Sequence, residues 1–213
     1  MAISRRNMLG YTAAGLAGLN GLALAQERSF AESYRAITPQ PAPGEQIEVL
    51  DFFWYGCPYC FQLMPLMAEW EKTKPQDVIV RRIPAVLRQE WVPDAHLYYA
   101  MELLGVAEQL HAKIFEAYHR DRLQSTDQEA VARLAVANGV DRAKWDETYA
   151  SKEVRDRVVR AVETARNYDV RGTPVVIVDG RWQTGGGLAG SLKNVMPTVD
   201  GLINLARARR IKA

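Results

Sequence analysis

The chain has 213 residues, 48% of them hydrophobic and 24% charged, with 27 basic against 25 acidic side chains. Those proportions exclude a disordered or fibrous chain and suit one globular domain, or one domain carrying an insertion. A net charge of +2 offers no electrostatic case for binding nucleic acid.

Residues 1–25 read as an export signal. Arg5 and Arg6 form a positive start, a Gly/Ala/Leu-rich stretch follows, and Ala23-Leu24-Ala25 is a small-residue cleavage pattern. The apolar run is short and interrupted by Gly15, Gly18, Asn20 and Gly21, whereas a permanent span needs about 20 mostly apolar residues. Ser4-Arg5-Arg6-Asn7-Met8-Leu9 fits a twin-arginine signal, and two arginines serve a general secretory signal equally well. Beyond this leader the basic and acidic side chains balance at 25 each.

After a Pro-rich approach at 38–45, the apolar and aromatic run 47–54 predicts a buried strand. Cys57-Pro58-Tyr59-Cys60 follows at once and opens a helix, with Pro58 suited to the first turn and Pro65 expected to kink it. A second strand is predicted at 78–83, ended by Pro84. Residues 93–168 then read as an all-helical block. Asp94 is expected to cap a helix to Leu104, a second covers 107–119, and Thr126 to Glu129 fits a capping box for a third ending at Asn138-Gly139. Asp141 and Ser151 are expected to cap two more, the last with Val154, Val158 and Val162 spaced at four. Strand chemistry returns at 175–178, with Asp179-Gly180 turning a hairpin into Arg181-Trp182-Gln183. Gly185 to Gly187 reads as a flexible loop without a phosphate-loop pattern. A final helix over about 190–209 ends in Arg207, Arg209 and Arg210, which complement its dipole. The strands on either side of the helical block are expected to form one mixed sheet, with the block as an insertion.

Cys57 and Cys60 are the two cysteines of the chain. A disulfide between them closes a loop of about four residues, which the chain-entropy model credits with only about 2 kcal/mol, so the pair is better suited to reaction than to stapling. A thiolate is the attacking species in disulfide exchange. At the junction of strand and helix, unpaired N–H groups and the helix dipole point at the Cys57 sulfur and lower its pKa. Cys60, one turn further in and more buried, is placed to resolve a mixed disulfide. His96, His111 and His119 are expected to be solvated or packed rather than metal ligands, since a structural zinc site needs four donors. No nucleotide, flavin or metal motif implies a cofactor.

The segment Leu50-Asp51-Phe52-Phe53-Trp54-Tyr55-Gly56-Cys57-Pro58-Tyr59-Cys60, the helical block, and Gly172-Thr173-Pro174 before the hairpin together resemble the DsbA-like thiol:disulfide interchange proteins of bacterial periplasms. The resemblance covers residues 26–213. It implies an α/β thioredoxin fold, a central mixed sheet flanked by helices, formed by 26–92 and 165–213 with a helical insertion at 93–164. It also implies a monomeric, periplasmic oxidase that donates a Cys57–Cys60 disulfide to newly exported proteins bearing free thiols. A quinone-linked membrane oxidase of the DsbB type would then reoxidise it.

By the same resemblance Cys57 is the nucleophile and Cys60 its resolving partner. Pro174 follows a cis peptide, and the Thr173 backbone pairs with a substrate strand. Asp51 corresponds to a buried acid, its pKa raised by desolvation, that exchanges a proton near Cys60. Tyr59 departs from the histidine common at that position. A neutral tyrosine provides no cation, which implies a less depressed Cys57 pKa and a less oxidising disulfide than in a histidine-bearing relative. The Thr173 hydroxyl is expected near the sulfurs. Cys-Pro-Tyr-Cys also occurs in glutaredoxins, and the leader and the insertion separate the two families here.

Trp54, Tyr55, Phe61 and Met64 are candidates for an apolar substrate rim or for ordinary core. Met67, Met101 and Leu104 are expected to be core, and Arg81-Arg82 a solvated strand edge. Trp91 and Trp145 carry no site assignment. Two other functions compete: a periplasmic disulfide reductase or isomerase, and a chaperone-like binding module. The roughly 20 residues between leader and first strand leave no room for the dimerisation domain that isomerases add.

Overall fold

The computed structural model describes residues 29–41 and 44–211, so the export-signal segment lies outside the described residues. Five strands form one mixed sheet: β1 (Arg35–Ala36), β2 (Ile47–Phe53), β3 (Val78–Pro84), β4 (Val175–Val178) and β5 (Trp182–Thr184), in the order β1-β5-β4-β2-β3. β2 runs parallel to β3 and antiparallel to β4. All seven β2 residues are buried, which explains its continuous apolar run. β1 is too short to leave a signal in the sequence; its Arg35 hydrogen-bonds Gln183 of β5.

Helices cover both faces. On one face α1 (Pro58–Glu71) and α8 (Val195–Arg210) enclose Val49, Leu63, Met67, Val176 and Leu202. On the other, Leu50, Phe52 and Ile177 pack against the helical block α2 (Val92–Leu103), α3 (Ala107–Arg120), α4 (Gln128–Ala137), α5 (Arg142–Tyr149) and α6 (Lys152–Asn167). Sheet and block thus share a core, centred on Phe53, whose ring meets Tyr55, Tyr98, His111 and Phe115. Met67 and Met101 are buried in these cores, as is Trp145, and Leu104 packs at the edge.

The helix caps show where local chemistry was decisive. Asp141 and Ser151 accept from Lys144 N and Val154 N as expected. Thr126 is not a cap: the adjacent Asp127 carboxylate accepts from Ala130 N, a charge-assisted bond that a hydroxyl does not match. Asp94 is not a cap either. α2 begins two residues earlier, with a proline in its first turn, and Asp94 turns inward. α1 continues across Pro65 without a break. Gly186 and Gly187 open a short helix, α7 (Gly186–Ala189), rather than a free loop, and α8 starts at Val195, later than expected. In the hairpin, Asp179 and Gly180 both have positive φ, and Arg181 N donates to Val178 O. The basic end of α8 is pinned to the sheet: Arg207 pairs with Asp77 and Arg210 with Asp179.

Replacing Phe53 by Ala removes the ring on which four aromatic side chains converge. We expect a loss of about 3–5 kcal/mol in urea denaturation; a loss below about 1 kcal/mol contradicts the shared core.

Candidate active site

β2 ends at Phe53 and the chain turns through Trp54 to Gly56 before α1 starts. The turn is closed by Cys57 N donating to Trp54 O at 3.0 Å. Cys57 is the N-cap of α1, and Pro58 occupies the first turn, where a missing N–H costs no hydrogen bond. The Cys57 Sγ accepts from Cys60 N at 3.4 Å. Both cysteines are free thiols, Cys57 5% exposed and Cys60 3% exposed. Cys57 is therefore nearly enclosed, with Pro58 and Tyr59 standing outside it, and Tyr59 is 61% exposed.

The two sulfurs have opposite electrostatics. The Cys57 thiol is lowered to about 5: a hydrogen bond from the Cys60 side chain is the largest cause, burial opposes it, and hydrogen bonds from Thr173 and from the backbone of Cys60 and Tyr59 add to it. Cys60 is pushed far up, first by burial, then by its hydrogen bond to Cys57 and by the charges of Cys57 and Asp51. At neutral pH the outer sulfur is an anion and the inner one a thiol. Tyr59 contributes through its backbone, while its side chain points to solvent.

The Thr173–Pro174 peptide is cis and faces this pair. Cys57 Sγ as a thiol donates to Thr173 O at 3.4 Å, and the Thr173 side chain supplies one of the bonds that favour the thiolate. Gly185 packs under the same loop; a Cβ there would stand 2.9 Å from Pro174 O.

Asp51 is 7% exposed in the middle of β2, and burial raises its pKa to about 6, with Arg82 pulling down and Glu71 pushing up. It lines a small cavity of about 10 Å³ with Cys60, Arg82, His111 and Pro174. That is near the lower limit for one water molecule. Arg81 and Arg82 lie on the edge strand β3, as expected, but Arg82 is only partly solvated. It pairs with Asp51 in the β2–β3 register and forms an ion pair with Glu71. Arg81 is half-exposed, beside Glu48. Only the parallel register reveals the Arg82 placement, and no local signal in the sequence carries it.

The proposed rim divides. Tyr55 is core: its hydroxyl bonds His111 Nδ1 and its carbonyl bonds His119 Nε2, both at 2.9 Å. Trp54, Phe61 and Met64 are half-buried around the cysteines, with Phe61 stacked on His119 and Trp54 on Trp91. Burial lowers His111 to about 3, which keeps it neutral. Among the described residues no group of His, Cys, Asp and Glu is arranged to hold a metal ion.

A dithiol at the N-terminus of the helix after a central strand, crossed by a cis-proline loop, defines a thioredoxin-fold protein built for thiol–disulfide exchange. Residues 48–193 match the model of the DSBA-like thioredoxin domain. The thiol:disulfide interchange protein DsbA of Bordetella parapertussis is 37% identical over 199 residues, 92% of this chain and 94% of that one. DsbA of Pseudomonas aeruginosa is 30% identical over 207 residues, 95% and 98% of the two chains. The crystal structure of Pseudomonas aeruginosa DsbA superposes with a TM-score of 0.81 at 30% identity, covering 87% of this chain and 98% of that one. The chain belongs to the DsbA-like family, has its thioredoxin fold, and is a thiol:disulfide oxidoreductase.

A thiol whose folded pKa lies near 5 rather than 9 stabilises the reduced protein at high pH and loses that contribution as pH falls through 5. Reduced wild type should therefore exceed a reduced Cys57→Ala variant in thermal midpoint by a margin that shrinks between pH 7 and pH 4. A margin independent of pH contradicts the site electrostatics.

Proposed function

We propose that the protein is a periplasmic oxidase that donates the Cys57–Cys60 disulfide to newly exported proteins with free thiols. The observation that carries this direction is the stabilised Cys57 thiolate, which favours the dithiol product and draws electrons from the client. A client thiolate attacks the Cys57 sulfur, the Cys57–Cys60 bond breaks, and Cys60 leaves as a thiolate. Asp51, beside Cys60 with a pKa near neutrality, delivers a proton to it, directly or through a water in the shared cavity. A second client thiolate attacks the client sulfur of the mixed disulfide, which releases Cys57 as the stable thiolate. Thr173 and Pro174 border Cys57 where a client strand would lie, and the Pro58–Tyr59 turn forms the other wall of the entrance.

The same proposal extends to its partners and its place. Reoxidation falls to a quinone-linked membrane oxidase of the DsbB type, and the protein acts as a monomer delivered by the N-terminal signal. Among the described residues no helix is long and apolar enough to cross a membrane. Residues 26–92 and 165–213 serve as the thioredoxin-like unit and 93–164 as its helical insertion.

Cys60→Ser should trap client proteins as mixed disulfides on Cys57, visible as adducts on non-reducing gels and absent in Cys57→Ser; trapping by Cys57→Ser alone reverses the assignment. Asp51→Asn should slow the reverse step, oxidation of the dithiol, on the order of 10²-fold at pH 7, where a carboxylate would take the Cys60 proton. The gap should close below pH 6, where Asp51 becomes protonated, and a gap that persists unchanged at pH 5 excludes a proton-transfer role.

A further inference from the structure

One buried carboxylate of the helical block reaches the redox site without a part in the exchange chemistry. Asp94, in the first turn of α2, is 4% exposed. Its Oδ2 accepts from Trp54 Nε1 at 3.0 Å and its Oδ1 from the Tyr118 hydroxyl. The Tyr118 oxygen in turn accepts from Ser125 N at 2.8 Å, so the carboxylate is itself held by α3 and the loop after it.

The half-buried Trp54 indole is held at three points in this arrangement. Its face stacks on Trp91 at 4.1 Å with an interplanar angle of 7°. Its edge is bonded to Asp94. Its six-membered ring lies so close to Gly56 that a Cβ there would come within 2.3 Å of it. The backbone of the same residue is tied to the dithiol: its carbonyl accepts from Cys57 N at 3.0 Å. A displacement of the indole acts three residues along the chain, at the Cys57 sulfur that exchanges with the client.

We propose that Asp94 is a positioning residue for thiol–disulfide exchange: by anchoring the Trp54 indole it fixes the turn from Trp54 to Cys57 and so holds the Cys57 sulfur against the N–H groups of α1. The inference rests on Cys57 and Cys60 being the exchanging pair. It makes the helical insertion a support for the redox centre as well as a covering of the sheet. Loosening the anchor lets the sulfur drift from its donors, which weakens the thiolate and shifts the equilibrium toward the disulfide.

The test is a double-mutant cycle with Asp94→Ala and Trp54→Phe, reading the equilibrium constant with glutathione and the Cys57 titration by thiolate absorbance, on variants shown to be folded by circular dichroism. Each single change should shift the equilibrium about 3–10-fold toward the disulfide form and raise the Cys57 midpoint. The double variant should go no further than the larger single one, because both remove the same bond. Asp94→Asn, which keeps one acceptor oxygen, should fall between wild type and Asp94→Ala. A merely structural Asp94 lowers the denaturation midpoint and leaves the glutathione constant within twofold of wild type; that result overturns the proposal, and so do additive shifts in the double variant. If Asp94→Ala does not fold, Asp94→Asn and Trp54→Phe decide by the same twofold criterion. A wild-type chain that forms no disulfide with glutathione overturns the exchange assignment itself, and that failure is recognised before any substitution is made.

Discussion

The arrangement depends on one contest at the start of α1, where burial of the Cys57 sulfur is opposed by hydrogen bonds that favour its anion. Burial alone drives a thiol upward, as it does at Cys60. At Cys57 the Cys60 side chain, Thr173 and the N–H groups of the helix start outweigh it. None of these donors is a full cation, so the thiolate is held by dipoles rather than by an ion pair. Dipoles fixed in place keep their value in a poorly solvated site, and the reacting sulfur gains from enclosure as long as the donors stay aimed at it.

That requirement accounts for how the surrounding structure is built. β2 is buried along its whole length, which gives the turn after Phe53 a fixed origin. Pro58 sets the first turn of α1 without using a donor the sulfur needs. The cis-proline loop approaches from the side and is itself backed by Gly185. Beneath the dithiol, Asp51, Arg82 and Glu71 form a line of alternating charge that reaches the small cavity at Cys60. The inner thiol thus has a carboxylic acid beside it, while the outer thiolate is held by the Cys60 side chain, Thr173 and backbone N–H groups.

Much of this was legible in the chain before any coordinates. The Cys-Pro-Tyr-Cys turn after an apolar run, the Thr173-Pro174 pair ahead of an Asp-Gly hairpin, and the caps at Asp141 and Ser151 all rest on short-range chemistry that one sequence carries. Long-range placement was not legible. Arg82 read as a surface charge because its neighbour, Asp51, is brought opposite only by the parallel register of β2 and β3. Asp94 looked like a cap because Asp before a helical run usually is one, and its partner Trp54 lies forty positions upstream. Tyr55 read as either rim or core, and its bonds to two histidines of α3 accompany its place in the core. In each case the fold gives a polar group a partner that is distant in the sequence.

Family membership and a dithiol motif identify the reaction class; the strength of the sulfur's anionic preference decides which way electrons run. The most direct measurement is the pH dependence of iodoacetamide alkylation at Cys57 in the reduced protein. A protein that works as described alkylates along a single titration curve centred near pH 5. A curve centred near pH 9, that of an ordinary thiol, would contradict it.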